Sequence, residues 1–333
     1  MIEKKDKNIW LFGAGYWANV LVKKINMKFP NHHIQVIDPN VEAQKDLASK
    51  YLFVVPSSTE AFKEKAKNGD FGFVVTPPKT HYKIACDLLN LGCHTWVEKP
   101  LTTDAVQAEE LIKKAITNKV TLFIDNTFLF DPLILRLRRL DQKNNKIYQV
   151  HSIRQGWGKV LKDFGVLWDL LPHDLSIVNN IFGKIQNHSL LSIDFGPEKS
   201  NLNRTSLNAT IKLTTVNDIA VQIDLSAVSK NKIRQIQVMC SEELITYNLD
   251  SDGSVLFNNS WNSIPGLVGT DDELVIENAI NNEDSLSNTL DCFIKLAEKG
   301  TLHESIDFAV QEIAIIQDLF EKSQLIFAQK YNI

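Results

Sequence analysis

Over the first 125 residues, short apolar runs alternate with stretches whose apolar residues recur at helical spacing. That alternation predicts a parallel sheet with helices on both faces. NIWLFGA reads as the first strand, and the segment from Tyr16 to Lys28 as a helix carrying Val20, Leu21 and Ile25 on one side. HIQVID, LFVVP, DFGFVVTPP, CHTWVEKP and VTLFIDNTF read as the next five strands. VEAQKDLASKY, STEAFKEKAKN, HYKIACDLLNLG and TTDAVQAEELIKKAITN read as the helices between them, with a Ser58 or Thr59 cap on the second of these and Gly92 closing the third.

Beyond Asn126 the pattern changes. FDPLILRLRRLDQK reads as a helix, KIYQVHSIRQGW as an extended strand, and LWDLLPHDLSIVNNIFG as one helix ended by Gly183. SLLSIDFG, SLNATIKLTT, IAVQIDLSAV, IRQIQVMCS and ELITYNLD alternate at period two between Asn, Asp and Gly turn residues, which predicts a largely antiparallel sheet with one covered face. Ser305 to Lys330 reads as a long amphipathic helix. The predicted architecture is therefore α/β: a doubly wound parallel sheet over residues 1–125, then an α+β domain over 126–333 whose last helix, about 305–330, packs back toward the first domain.

The first strand runs into Gly13, Ala14, Gly15, Tyr16, Trp17 and Ala18, a GxGxxA pattern at a strand-to-helix junction. Gly13 permits a tight turn, Gly15 lets backbone approach a pyrophosphate, and Ala18 lets the helix lie close to the sheet with its N-terminus toward the phosphates. Asp38 ends the second strand, where a carboxylate can accept both ribose hydroxyls and would repel a 2′-phosphate, so NAD is favoured over NADP. A turn-forming aspartate before Pro39 is the alternative for Asp38 alone.

Apolar residues make up 44% of the 333 and charged residues 23%, with a net charge of −4, a balance that points to neither nucleic acid nor a membrane surface. The start MIEKKDKNIW lacks the apolar core of a signal peptide, and a cytoplasmic protein is expected. Cys86, Cys93, Cys240 and Cys292 form no CxxC pair and read as reduced packing residues, and the histidines show no metal-site spacing.

Strand five ends in Glu98, Lys99 and Pro100, at the carboxyl edge where open α/β sheets bind ligands. With the glycine motif, the Thr76, Pro77, Pro78 turn followed by His81, and the DLLPHD of Asp169 to Asp174, the chain resembles the Gfo/Idh/MocA oxidoreductases over almost its whole length. The resemblance implies that Lys99 hydrogen-bonds the reacting hydroxyl or carbonyl, that His173 is the acid/base, and that Asp169 binds or orients the substrate. It places Thr76, Pro77, Pro78, His81 and Glu98 beside the cofactor. An ammonium suits a developing alkoxide, and an imidazole titrates near neutrality. Four residues apart, Asp169 and His173 share a helix face, although Asp169 could instead cap that helix ahead of Pro172. Asn126 at the domain junction is a substrate contact or an Asx turn, and Arg154 and Trp157 are candidates for holding a substrate carboxylate or phosphate. Leu170 and Leu171 stand where the family often has glycine.

These readings imply hydride transfer between nicotinamide and a secondary alcohol carbon of a sugar, polyol or nucleotide sugar, with no metal. A homodimer or homotetramer through the second domain's sheet is expected. A non-catalytic NAD-responsive regulator and a reductase of a dihydrodiol or linear tetrapyrrole are the alternatives on the same fold.

Overall fold

The structure is a computed structural model that describes residues 7–141, 146–158, 164–197, 205–241, 244–249, 254–258, 275–278 and 284–331. These divide into two compact units. One comprises residues up to Thr127 together with Asp284–Ile313, the other Phe128–Glu283 together with Ala314–Ile333.

The first unit is built on six parallel strands: β1 (Ile9–Phe12), β2 (Ile34–Ile37), β3 (Val54–Pro56), β4 (Phe71–Val74), β5 (His94–Glu98) and β6 (Leu122–Asp125). Their order in the sheet is β3-β2-β1-β4-β5-β6, a doubly wound arrangement whose strand order reverses between β1 and β4. Every residue of β1, β4 and β6 is buried, as expected of strands covered on both faces. The connecting helices are α1 (Tyr16–Lys28), α2 (Val41–Lys50), α3 (Thr59–Lys65), α4 (His81–Asn90) and α5 (Ala105–Asn118). Ser58 caps α3 by accepting from the Ala61 N–H, and Asp104 caps α5 by accepting from the Gln107 N–H.

The second unit holds α6 (Pro132–Asp141), β7 (Ile147–Trp157), α7 (Gly165–Asp169) and α8 (Leu171–Ile177). Next come β8 (Ile185–Phe195), β9 (Ser206–Thr215), β10 (Ala220–Ser226), β11 (Val228–Cys240), β12 (Leu244–Asn248), β13 (Ser254–Asn258) and β14 (Val275–Asn278). The described strands form one sheet, β14-β13-β12-β11-β7-β10-β9-β8, in which only β7 and β10 run parallel. Burial alternates along β9 and β10, so one face is covered, and α7 packs on β9.

Two features depart from the predicted elements. The segment read as one helix is broken at Leu170: α7 ends at Asp169, α8 starts at Leu171 with Pro172 in its first turn, and a π-helical turn over Val178–Phe182 follows. Proline lacks the N–H that would continue the ladder, and the His173 N–H reaches back three residues to the Leu170 carbonyl instead. The second feature is α9 (Ser285–Lys299), a helix absent from the sequence reading. It belongs to the first unit, where Phe293 lies 5.6 to 5.8 Å, centroid to centroid, from Phe71, Phe73, Trp96 and Phe123. Lys24 pairs with Asp284, and Lys28 with Asp291 at 2.7 Å, tying α9 to α1. The final helix, α10 (Ile306–Tyr331), begins in the first unit and ends in the second. Among the described residues no helix is long and apolar enough to cross a membrane.

Candidate active site

The glycine turn follows β1 directly. Gly13 has φ +105°, and a Cβ there would stand 2.6 Å from the Val75 carbonyl oxygen, so both the backbone conformation and the space demand glycine. Gly15 is the N-cap of α1 with no side-chain cap, and a Cβ built on it meets nothing within 4 Å. The α1 N-terminus thus faces open space with its first N–H groups available to an anion. Ala18 is fully buried, and Tyr16 is exposed beside the turn.

Asp38 is fixed in the position that the motif needs. One oxygen accepts the Ala14 N–H at 2.8 Å and the other the Asn40 N–H at 2.8 Å, which holds the carboxylate against the glycine turn. A cavity of about 840 Å³ opens beside it, lined by Asp38, Pro39, Phe12, Thr76 and Thr80 among others. Its volume falls within the range of small-molecule and cofactor sites. The turn, the uncapped helix and the cavity fit a dinucleotide.

The Thr76–Pro77–Pro78 turn ends β4, with Pro77 exposed and Pro78 opening a short 3₁₀ turn ahead of α4. His81 is fully buried. Its Nε2 lies 2.7 Å from the Thr76 carbonyl oxygen and its Nδ1 2.8 Å from that of Pro100. Burial holds its pKa below the ordinary value, with the two carbonyls opposing. His81 therefore acts by tying the turn after β4 to the segment after β5.

At the carboxyl ends of β5 and β6 the register sets Glu98 opposite Asp125. Glu98 is partly buried, with Oε1 sealed from water, and its Oε2 accepts the Lys99 N–H at 3.2 Å. Asp125 is buried and accepts from the Thr127 hydroxyl at 2.5 Å. Burial, then the neighbouring Asp125 carboxyl, pushes Glu98 well above the usual carboxylate range, with Lys99 opposing. Burial also raises Asp125. Asn126 is buried, and its Nδ2 meets no acceptor among the described residues.

In the second unit, a cavity of about 230 Å³ is lined by Asp169, His173, Arg154, Trp157, Lys232 and Arg234, among others. Asp169 at the end of α7 and His173 in α8 both reach it across the break at Leu170. The Phe128 ring stands edge-on to His173 at 5.0 Å, and the Arg154 guanidinium lies 4.5 Å over the same ring. Arg154 is not a water-facing strand arginine. Its guanidinium donates to Asp174 from Nε at 2.9 Å and from one terminal nitrogen at 3.2 Å, while the Ser152 hydroxyl donates to the same carboxylate at 2.7 Å. Its charge is thus met from within, and Asp174 is structural. Trp157 is exposed at the end of β7.

Sequence reading missed Asp125, Phe128, Lys232 and Arg234. Asp125 had a usable signal, a carboxylate closing an apolar strand beside Asn126. Arg234 is set opposite Arg154 only by the β7–β11 register, which the sequence does not display.

Residues 7–126 match the oxidoreductase family described by an NAD-binding Rossmann fold. Over those residues the chain is similar to the Gfo/Idh/MocA oxidoreductases. Among its relatives, UDP-N-acetylglucosamine 3-dehydrogenase of Acidithiobacillus ferrooxidans is 22% identical over 241 residues, which is 72% of this chain and 74% of that protein. Putative oxidoreductase YceM of Salmonella typhimurium is 36% identical over 98 residues, 27% of this chain and 32% of that one. A solved structure of the Acidithiobacillus enzyme superposes with a TM-score of 0.72 at 18% identity, covering 94% of this chain and 98% of that one. Levoglucosan dehydrogenase in complex with NADH superposes at 0.76 and 13% identity, covering 96% and 97%. At such identities these superpositions establish the shared fold.

Proposed function

We propose that this protein is a dehydrogenase using NAD in preference to NADP, acting on a secondary alcohol or ketone carbon of a sugar, polyol or nucleotide sugar. The observation that carries the proposal is the glycine turn with Asp38 locked against it at the mouth of the larger cavity. Gly13, Gly15 and the α1 N-terminus hold the diphosphate, and Asp38 takes the ribose hydroxyls and repels a 2′-phosphate. Bound NAD supplies a hydride acceptor. Lys99 donates a hydrogen bond to the reacting oxygen, favouring the developing alkoxide, and His173 accepts the proton that the alcohol gives up. Asp169 binds a substrate hydroxyl and orients it. Trp157 contributes apolar surface, and Asn126 donates from its amide to the substrate. The named activity of the Acidithiobacillus relative supports a sugar substrate.

The test is a panel of sugars, polyols and nucleotide sugars, scored for NAD reduction. A substrate is expected, with Lys99→Ala abolishing turnover while NAD affinity is kept. Full turnover in that variant, or NAD binding with no turnover on any member of the panel, overturns the proposal, and the second outcome favours a ligand-responsive regulator. Assembly as a homodimer or homotetramer through the eight-stranded sheet belongs to the same reading, and a monomeric mass under native conditions contradicts it.

A further inference from the structure

We infer that the cavity in the second unit binds an anionic group through Arg234 and Lys232, so that the substrate is a sugar bearing a carboxylate or a phosphate rather than a neutral sugar or polyol. All the residues that line this cavity belong to the second unit, and Asp169 and His173 are among them. Three cationic side chains, Arg154, Lys232 and Arg234, reach it against one carboxylate, Asp169, among the described lining residues. Arg154 answers Asp174, whose two oxygens accept from its Nε, from one terminal nitrogen and from the Ser152 hydroxyl. Lys232 and Arg234 remain in the wall with Asp169, so the lining carries more positive than negative charge. That the bound anion belongs to a substrate rests on the function proposed above.

Two features of β11 bring these charges together. The β7–β11 register sets Arg234 directly opposite Arg154. Like charges directly opposed across two strands destabilise a sheet, a cost that an incoming anion reverses, and the planar fork of arginine suits a carboxylate or a phosphate. The register then shifts: Gln155 pairs with Ile233 but Trp157 with Val228, so Gly156 alone faces Ser229 to Lys232. Such bulges re-aim side chains beside functional sites. Here the Lys232 stem passes Gly156, where a built Cβ would stand 3.8 Å from Lys232 Cγ. Phe128 sets the scale of the site, because its ring centroid lies 5.0 Å from that of His173 and 5.7 Å from the Arg234 guanidinium carbon. The imidazole and the guanidinium therefore stand no further apart than those two distances together, within reach of opposite ends of one sugar residue with a charged substituent.

Titration calorimetry on the full chain, with NADH present so that no alcohol turns over, compares glucose with glucuronate, glucose 6-phosphate and UDP-glucose. The three charged probes separate a carboxylate, a phosphate monoester and a diphosphate. One of them should bind roughly ten-fold or more tightly than glucose. Arg234→Gln and Lys232→Gln should each shrink that advantage, while Lys113→Gln, the same charge change on the exposed face of α5, should keep it. Lys232 is exposed, so its replacement decides the matter if Arg234→Gln does not fold. Equal affinity for glucose and all three charged probes, or an advantage undiminished in Lys232→Gln, overturns the inference. NAD reduction by neutral sugars as readily as by charged ones would overturn it too and leave the dehydrogenase standing. Charged-probe binding that the variants weaken, with no NAD reduction by any member of the panel, would overturn the dehydrogenase and leave the anion site as that of another ligand.

Discussion

Replacing Asp174 by Asn should destabilise the second unit far more than its conservative chemistry suggests. The side chains of Arg154 and Asp174 are 6% and 0% exposed, and the pair is joined by two hydrogen bonds at 2.9 and 3.2 Å with Ser152 adding a third at 2.7 Å. Removing the carboxylate's charge leaves a buried guanidinium without a counter-ion, a loss of about 3–5 kcal/mol. For a unit of this size that lowers Tm by roughly 6 to 20 °C. Urea unfolding followed by far-ultraviolet circular dichroism measures it. The double replacement Arg154→Met with Asp174→Leu removes both charges together and should recover most of the loss, because desolvating the ions offsets much of their attraction. A loss below about 1 kcal/mol in Asp174→Asn would refute a buried pair whose charges depend on each other.

Other outcomes follow from the first unit. Gly13→Ala meets both a positive φ and a 2.6 Å contact with the Val75 carbonyl, so titration calorimetry should show NAD binding lost or weakened by at least about ten-fold. Asp38→Ser should narrow the preference for NAD over NADP, measured as the ratio of their dissociation constants; an unchanged ratio contradicts the assigned ribose contact. His94 is buried and accepts the Thr121 N–H, and burial lowers its pKa to about 4. The unfolded chain therefore binds its proton first on acidification: the stability is whole above the ordinary histidine pKa and is lost as pH falls from there toward 4. Urea midpoints should show a loss on the order of 2 kcal/mol between pH 7.5 and 5, absent in His94→Gln. Phe293→Ala, which empties a site enclosed by four aromatic rings, should cost about 3–5 kcal/mol by the same assay.

The parallel sheet was legible because its strands are short, apolar and separated by helices of strong periodicity, and the glycine turn because its demands are steric and local. The α9 helix also carried local signals, namely Asp284 as cap, Leu286, Leu290, Phe293 and Ile294 at helical spacing, and Gly300 in the left-handed conformation at its end. It was overlooked among the strands that precede it. The break at Leu170 could be read from Pro172, but the surrounding apolar periodicity masked it. The Arg154–Asp174 pair was hidden for a different reason: the two lie twenty residues apart, and only the folded sheet and helix bring them together. The same limit hid the Glu98–Asp125 pair, since neighbouring strands in a parallel sheet share no sequence proximity.

Hydride transfer itself is tested most directly by following deuterium. Offered a substrate from the sugar panel deuterated at its carbinol carbons, the protein should move one deuterium onto NAD, detected by mass of the reduced cofactor, and should fail to do so as Lys99→Ala or His173→Asn. Bound NAD that acquires no deuterium from any member of the panel, or transfer that persists in both variants, would contradict the account.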